Sequence, residues 1–455
     1  MNESPDIHPT AAPRAGLPML MAIGPGIVVA GSVMGSGELI NTPIQAATFG
    51  FVLLWAVLLS CVIKYFIQVE LARHCMVHNR TTVEALNHCP GPKPFNTSWV
   101  ALAYMLGYTV SLAAAVGMIG AIAGLLDTVA PWPWADHSVT LWAVLVVLLT
   151  QALLWRGLYS QLEKLVTLLV GGFSLSVVVS LMLLQSTDYR VNAAELAEGL
   201  SFSLGDQPKL AAYAVVSLLG ALGTTANELF MYPYWILEKG YAKRVGPRDA
   251  DGWRDRARGW TRVLQIDAGC TTLLATVVTA AYFLLGSSVL HRRGVMPQGL
   301  GVVHELSAIF TESFGQWSFV IFVFGALCTL FSTVVVVVAA TGRMWADVLC
   351  SMRIVSRASE QSVRRCHRVV QTLTLAVLLF VFVVLRMPPA KLVIFGQFFV
   401  GAFNTPLLIL GITWLAFRTE RQARMGRLTA ALLLATVTLL LTCIGIGLSV
   451  KYELF

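Results

Sequence analysis

Residues 35–43 read Gly35-Ser36-Gly37-Glu38-Leu39-Ile40-Asn41-Thr42-Pro43, inside an apolar segment that runs from about Leu17 to Ala47. The segment is long enough to cross a bilayer. A carboxylate at its middle is costly there, so Glu38 reads as a functional residue. The two glycines ease departure from helical geometry, and non-helical backbone at membrane depth has to line a cavity or be covered by protein. A second stretch of this kind is Thr224-Thr225-Ala226-Asn227-Glu228, with the two glutamates 190 positions apart. Each glutamate opens the pattern E-L-x-x-x-P, from Glu38 to Pro43 and from Glu228 to Pro233. A pair of interrupted apolar segments in corresponding halves points to a transporter's binding site.

The rest of the 455 residues sets these stretches in a membrane. Only 12% are charged and 56% are hydrophobic, and the mean hydropathy is +0.73. A soluble domain has about 25% charged residues, so a soluble enzyme or nucleic-acid-binding domain is excluded. Apolar runs predict eleven spans, near 19–47, 49–72, 98–127, 138–155, 162–184, 209–236, 262–288, 316–349, 368–386, 390–417 and 428–450. The expectation is an all-α polytopic membrane protein with spans one and six broken. The eight cysteines stand singly and form no disulfide framework or CxxC pair. His74 and His78, four apart, share a helix face and read as an interfacial helix end rather than a metal site.

Charge sets the orientation. With the N-terminus inside, 24 of the 32 Lys and Arg face inward and 7 outward, and Lys64 stays within span two. The net charge of +8 is then a property of basic inner loops rather than of a nucleic-acid surface. The outer segments are acidic or Trp-rich, as at Trp132-Pro133-Trp134-Ala135-Asp136. Asn79 and Asn96 fall in an inner loop, which argues against their glycosylation. Lys64 reads as a snorkelling side chain, or as a partner of Glu70 or of a neighbouring helix. The Val334–Val338 run reads as lipid-facing or core helix without chemistry. The breaks in spans one and six predict a 5+5 inverted repeat: a tail at 1–18, repeats at 19–184 and 209–417, and an added helix at 428–455.

Gly24-Pro25-Gly26, the break at 35–38, Ile44-Gln45-Ala46-Ala47 and Phe49-Gly50 together resemble the opening of the Nramp divalent-metal transporters. Similarity continues at Trp155-Arg156-Gly157, Leu162-Glu163-Lys164, Leu219-Gly220-Ala221, Ser332-Thr333 and Gln397, and covers most of the chain in order. The resemblance implies the leucine-transporter-like fold. The signature motifs differ. Where the family has Asp-Pro-Gly-Asn this chain has Gly35, Ser36, Gly37 and Glu38, and Met-Pro-His corresponds to Thr224, Thr225 and Ala226. The proton-path acids align with Ser111 and Ala114, and the family's histidines with Ala226 and Met231.

Half-helix ends leave unpaired carbonyls, so backbone near Gly35 and Thr224 can meet a cation. Glu38 and Glu228 would add charge, with Thr224, Asn227 and Gln397 as neutral oxygens. Gly35, Glu38, Thr224, Asn227, Glu228 and Gln397 are the expected substrate contacts, and Glu38, Glu228, Thr224 and Gln397 the metal ligands among them. An all-oxygen set suits Mg²⁺, Ca²⁺ or Mn²⁺. Either carboxylate can alternatively cap the half-helix that follows it, or carry a proton when no cation is bound. The expected activity is secondary transport of metal cations by symport and alternating access. The alternative is transport of a small organic solute, an amine or amino acid, on the same fold. No resident cofactor, nucleic acid or obligate protein partner is expected, and the lipid bilayer of a bacterial inner (plasma) membrane is the expected setting.

Overall fold

The computed structural model describes residues 8–13, 16, 19, 35–132, 137–156, 159–297, 299, 302–418 and 425–447, with the side chains of 159–167 excepted. The first half of span one with Gly24-Pro25-Gly26, most of the tail, 133–136, Gly157 and the side chains of Leu162-Glu163-Lys164 lie outside the described residues. The described secondary structure is helical throughout.

The second half of span one, α1, is a π-helical turn, Gly37–Asn41, running directly into Thr42–Phe49. Then follow α2 (Leu54–His78), α3 (Trp99–Val129), α4 (Ser138–Arg156) and α5 (Tyr159–Leu184). Span six is in two pieces, α6a (Pro208–Ala221) and α6b (Ala226–Glu238). The chain continues through α7 (Trp253–His291), α8 (Ser318–Ser351), α9 (Glu360–Leu385), α10 (Pro389–Arg418) and α11 (Arg427–Gly447). Among the described residues nine of these are long and apolar enough to cross a membrane. Adding α5 and the partly described span one accounts for the eleven expected.

Two boundaries differ from expectation. α7 begins at Trp253 rather than near 262, and α9 at Glu360 rather than near 368. The added turns carry Arg254, Arg256 and Arg258, and Arg364 and Arg365. Polar helix beyond the apolar window is invisible to a hydropathy reading but costs nothing in water. Residues 8–13 pack there: Thr10 N–H donates to the Arg244 carbonyl (2.9 Å), and Trp260 Nε1 donates to the Thr10 carbonyl (3.0 Å).

Packing divides into two large apolar clusters on either side of the breaks. One gathers α2, the first half of α3, α6a and α11; the other gathers the second half of α3 with α5, α7 and α8. Where α6a meets α10, Gly220 and Gly401 let the backbones touch. A Cβ on Gly220 would sit 2.1 Å from the Gln397 carbonyl oxygen, and small residues at such crossings are how membrane helices approach closely. On α9, Val369, Leu373, Val377, Phe380 and Val384 form an exposed apolar stripe at helical spacing, as a lipid-facing helix requires.

Candidate binding site at the helix breaks

The break in span six is explicit. α6a ends at Ala221, Gly223 takes a left-handed conformation (φ +66°), and Thr225 caps the start of α6b. Glycine makes that φ inexpensive. Thr225 and Glu228 form a reciprocal capping box: Thr225 N–H donates to Glu228 Oε2 (2.7 Å), and Glu228 N–H donates to Thr225 Oγ1 (3.3 Å). Glu38 behaves alike, with Gly35 N–H donating to its Oε2 (3.2 Å) three residues back. No hydroxyl at position 35 can return the bond, and this half-helix opens in π geometry instead. Thr279 Oγ1 on α7 approaches Glu38 Oε1 at 3.5 Å.

A buried cavity of about 90 Å³ lies between the broken helices, α3, α8 and α10. Of the expected site residues, Gly35, Glu38, Asn227, Glu228 and Gln397 line it, and Thr224 does not. Thr224 is turned toward α2, where its hydroxyl donates to Gln68 Oε1 (3.3 Å). Gln397 donates through Nε2 to Ser36 Oγ (3.1 Å), while its buried Oε1 has no hydrogen-bond partner. Asn227 donates to Ser111 Oγ (3.1 Å) and accepts from Asn404 Nδ2 (3.2 Å). Both carboxylates thus cap their half-helices and line one cavity, so capping and exposure to a ligand are not exclusive roles here.

Several lining residues correct the reading from sequence. Val336 and Val337, in the run assigned no chemistry, line the cavity, and Val334, Val335 and Val338 are core. Met231 lines it too, so a thioether is present seven residues beyond Thr224, the position that corresponds to the family's methionine. Tyr108 joins the lining, with its hydroxyl 2.6 Å from Thr341 Oγ1.

For Lys64 the structure selects the neighbouring helix as partner. It does not snorkel, and Glu70 pairs with Arg73 instead. Lys64 is only 1% exposed, and its Nζ donates to the Thr224 carbonyl at 3.2 Å. Ser60, four residues earlier, donates to the Leu218 and Leu222 carbonyls (3.3 and 3.1 Å). Ser60, Lys64 and Gln68 are a polar stripe at i, i+4, i+8 in the mostly apolar part of α2 ahead of Glu70, and that spacing is the sequence signal that reveals them. The His74 and His78 rings meet near the end of α2, with centroids 4.6 Å apart and planes tilted by 49°. Among the described residues no group of three or more His, Cys, Asp or Glu is arranged to hold a metal.

A family model described as natural resistance-associated macrophage protein-like (Nramp) matches residues 26–453, nearly the whole chain. The chain belongs to the Nramp family. It is accordingly a multi-pass membrane transport protein and not an enzyme. The fold is similar to that of the Eremococcus coleocola manganese transporter, solved with an aromatic bis-isothiourea compound: TM-score 0.68, 18% identity, 97% of this chain and 90% of that one covered. It is similar also to MhsT bound to L-phenylalanine (TM-score 0.55, 15% identity, 96% and 99% covered). A third likeness is to Mhp1, a nucleobase-cation-symport-1 transporter (TM-score 0.55, 13% identity, 98% and 94% covered). No curated protein sequence matches. The leucine-transporter-like architecture that the resemblance implies is therefore the fold of this chain.

Proposed function

We propose that this protein is a secondary active transporter of divalent metal cations harder than the usual transition-metal cargo, working by alternating access. One observation carries the reading: Glu38 and Glu228, from the two broken helices, line the same buried cavity. Two carboxylates in one such cavity repel each other and are expensive to bury unless a cation joins them. The unpartnered Gln397 Oε1 supplies a neutral acceptor at the same place, since a buried acceptor without a donor calls for an ion or water. Asn227 and the backbone at Gly35 complete an oxygen-rich set suited to Mg²⁺, Ca²⁺ or Mn²⁺, with Met231 adding sulfur toward the manganese end. Thr224 then acts through its carbonyl and Gln68 rather than as a ligand. The Eremococcus coleocola protein of similar fold is a manganese transporter, which agrees with this choice. A cavity of about 90 Å³ has room for a cation with several waters.

In this reading the repeats 19–184 and 209–417 move against each other around the site, with the N-terminus cytoplasmic in a plasma membrane. The test is uptake of Mg²⁺, Ca²⁺ and Mn²⁺ into proteoliposomes, reported by enclosed dyes, for the wild type and Glu38→Ala. Saturable uptake that the variant loses is expected. Folded protein that moves none of the three would overturn the proposal.

A further inference from the structure

The ends of broken membrane helices are where transporters of this architecture commonly seat free cations, because the last carbonyls of a half-helix point at one another unpaired. Here three carbonyls around the sixth-helix break are met by α2. Ser60 holds Leu218 and Leu222, and the ammonium of Lys64 holds Thr224. The Lys64 stem lies along the break itself, since a Cβ on Gly223 would be 3.7 Å from Lys64 Cγ. Thr224 directly precedes the capping box of Thr225 and Glu228, so the ammonium stands at the start of the half-helix that carries Glu228. A buried ammonium is costly unless it is hydrogen-bonded, and this one donates to the Thr224 carbonyl.

We infer that Lys64 is a tethered cation: it stands on the carbonyl end of the sixth-helix break in place of a free monovalent ion, so the protein neither binds nor needs sodium there. Its single positive charge also offsets one of the two carboxylates, which leaves a site that holds a divalent ion without binding it too tightly to release. Lys64 is thus a positioning and selectivity residue, with no contact to the cargo required. The divalent part of this inference rests on the proposed function; the sodium part does not.

The test uses purified full-length protein in detergent, melted in sodium chloride and in choline chloride, and titrated with Mn²⁺. The variants are Lys64→Gln and Lys64→Arg. The wild type and Lys64→Arg should melt alike in both salts. Lys64→Gln should gain a sodium-dependent rise of about 3 °C, because sodium then binds the vacated carbonyl. Its Mn²⁺ affinity should rise about tenfold once the repelling charge is gone. Sodium stabilisation of the wild type would overturn the inference. So would a folded Lys64→Gln variant that ignores sodium and binds Mn²⁺ as the wild type does. If Lys64→Gln does not fold, the sodium response of the wild type and Lys64→Arg decides the question. A wild type that ignores sodium and binds no Mn²⁺ would refute the metal reading and leave the tethered cation standing.

Discussion

The two helix breaks are built from the same device and finished differently. In both, a glutamate reaches back three residues to a backbone N–H, Glu38 to Gly35 and Glu228 to Thr225. At the sixth helix the bond is returned by the Thr225 hydroxyl. At the first, position 35 is glycine, nothing returns the bond, and the helix starts as a π-turn, a form that clusters at functional sites. The groups brought in from other helices also differ: a hydroxyl, Thr279, at 3.5 Å from Glu38, and an ammonium, Lys64, on the Thr224 carbonyl just ahead of the half-helix that carries Glu228. Glu228 is the more committed to structure and Glu38 the freer to serve a ligand. Near-symmetry in sequence thus conceals a division of labour.

That contrast can be broken by substitution. Glu38→Gln should have the largest effect, weakening the apparent affinity for the transported cation about 100-fold with little change in melting temperature, measured by concentration-dependent uptake. Glu228→Gln should cost about tenfold, because its amide oxygen can still accept from Thr225 N–H and keep the half-helix start. Equal losses at the two positions would erase the proposed division. Thr225→Ala should act on stability rather than transport. Loss of the returned cap should remove about 1 kcal/mol, read from reversible thermal or denaturant unfolding, with cation preference unchanged. Thr279→Val should be the mildest, shifting uptake by less than about twofold, because a 3.5 Å contact contributes little.

The same comparison shows where sequence is informative. The spans were legible because a bilayer demands about 20 apolar residues, and α8 and α11 begin within a few residues of where the apolar runs do. The starts of α7 and α9 were not, since polar turns outside the membrane obey no hydropathy rule. At the site, Glu38 and Glu228 were legible as charges in apolar segments. Thr224 was misplaced because residues flanking a break have no helical period, so nothing in the sequence says which way each side chain turns. Lys64 was visible as a charge, with its partner left open among water, Glu70 and a neighbouring helix. A lone intramembrane lysine usually reaches for water, and only the stripe with Ser60 and Gln68 tells that this helix faces another helix's open carbonyls. In the Val334–Val338 run the core reading holds for Val334, Val335 and Val338, and Val336 and Val337 add a cavity wall, which needs apolar residues as much as a core does.

The most direct test of the central claim is Mn²⁺ binding to purified protein, followed by the electron paramagnetic resonance of the unbound ion, for wild type, Glu38→Gln, Glu228→Gln and the double variant. Two carboxylates on one ion predict one Mn²⁺ per chain in the wild type and weaker binding in each single variant. The double variant should lose less than the sum of the single losses, because the residues share a partner. Wild-type affinity in the double variant, or losses at the two positions that simply add, would contradict a shared cation site at the helix breaks.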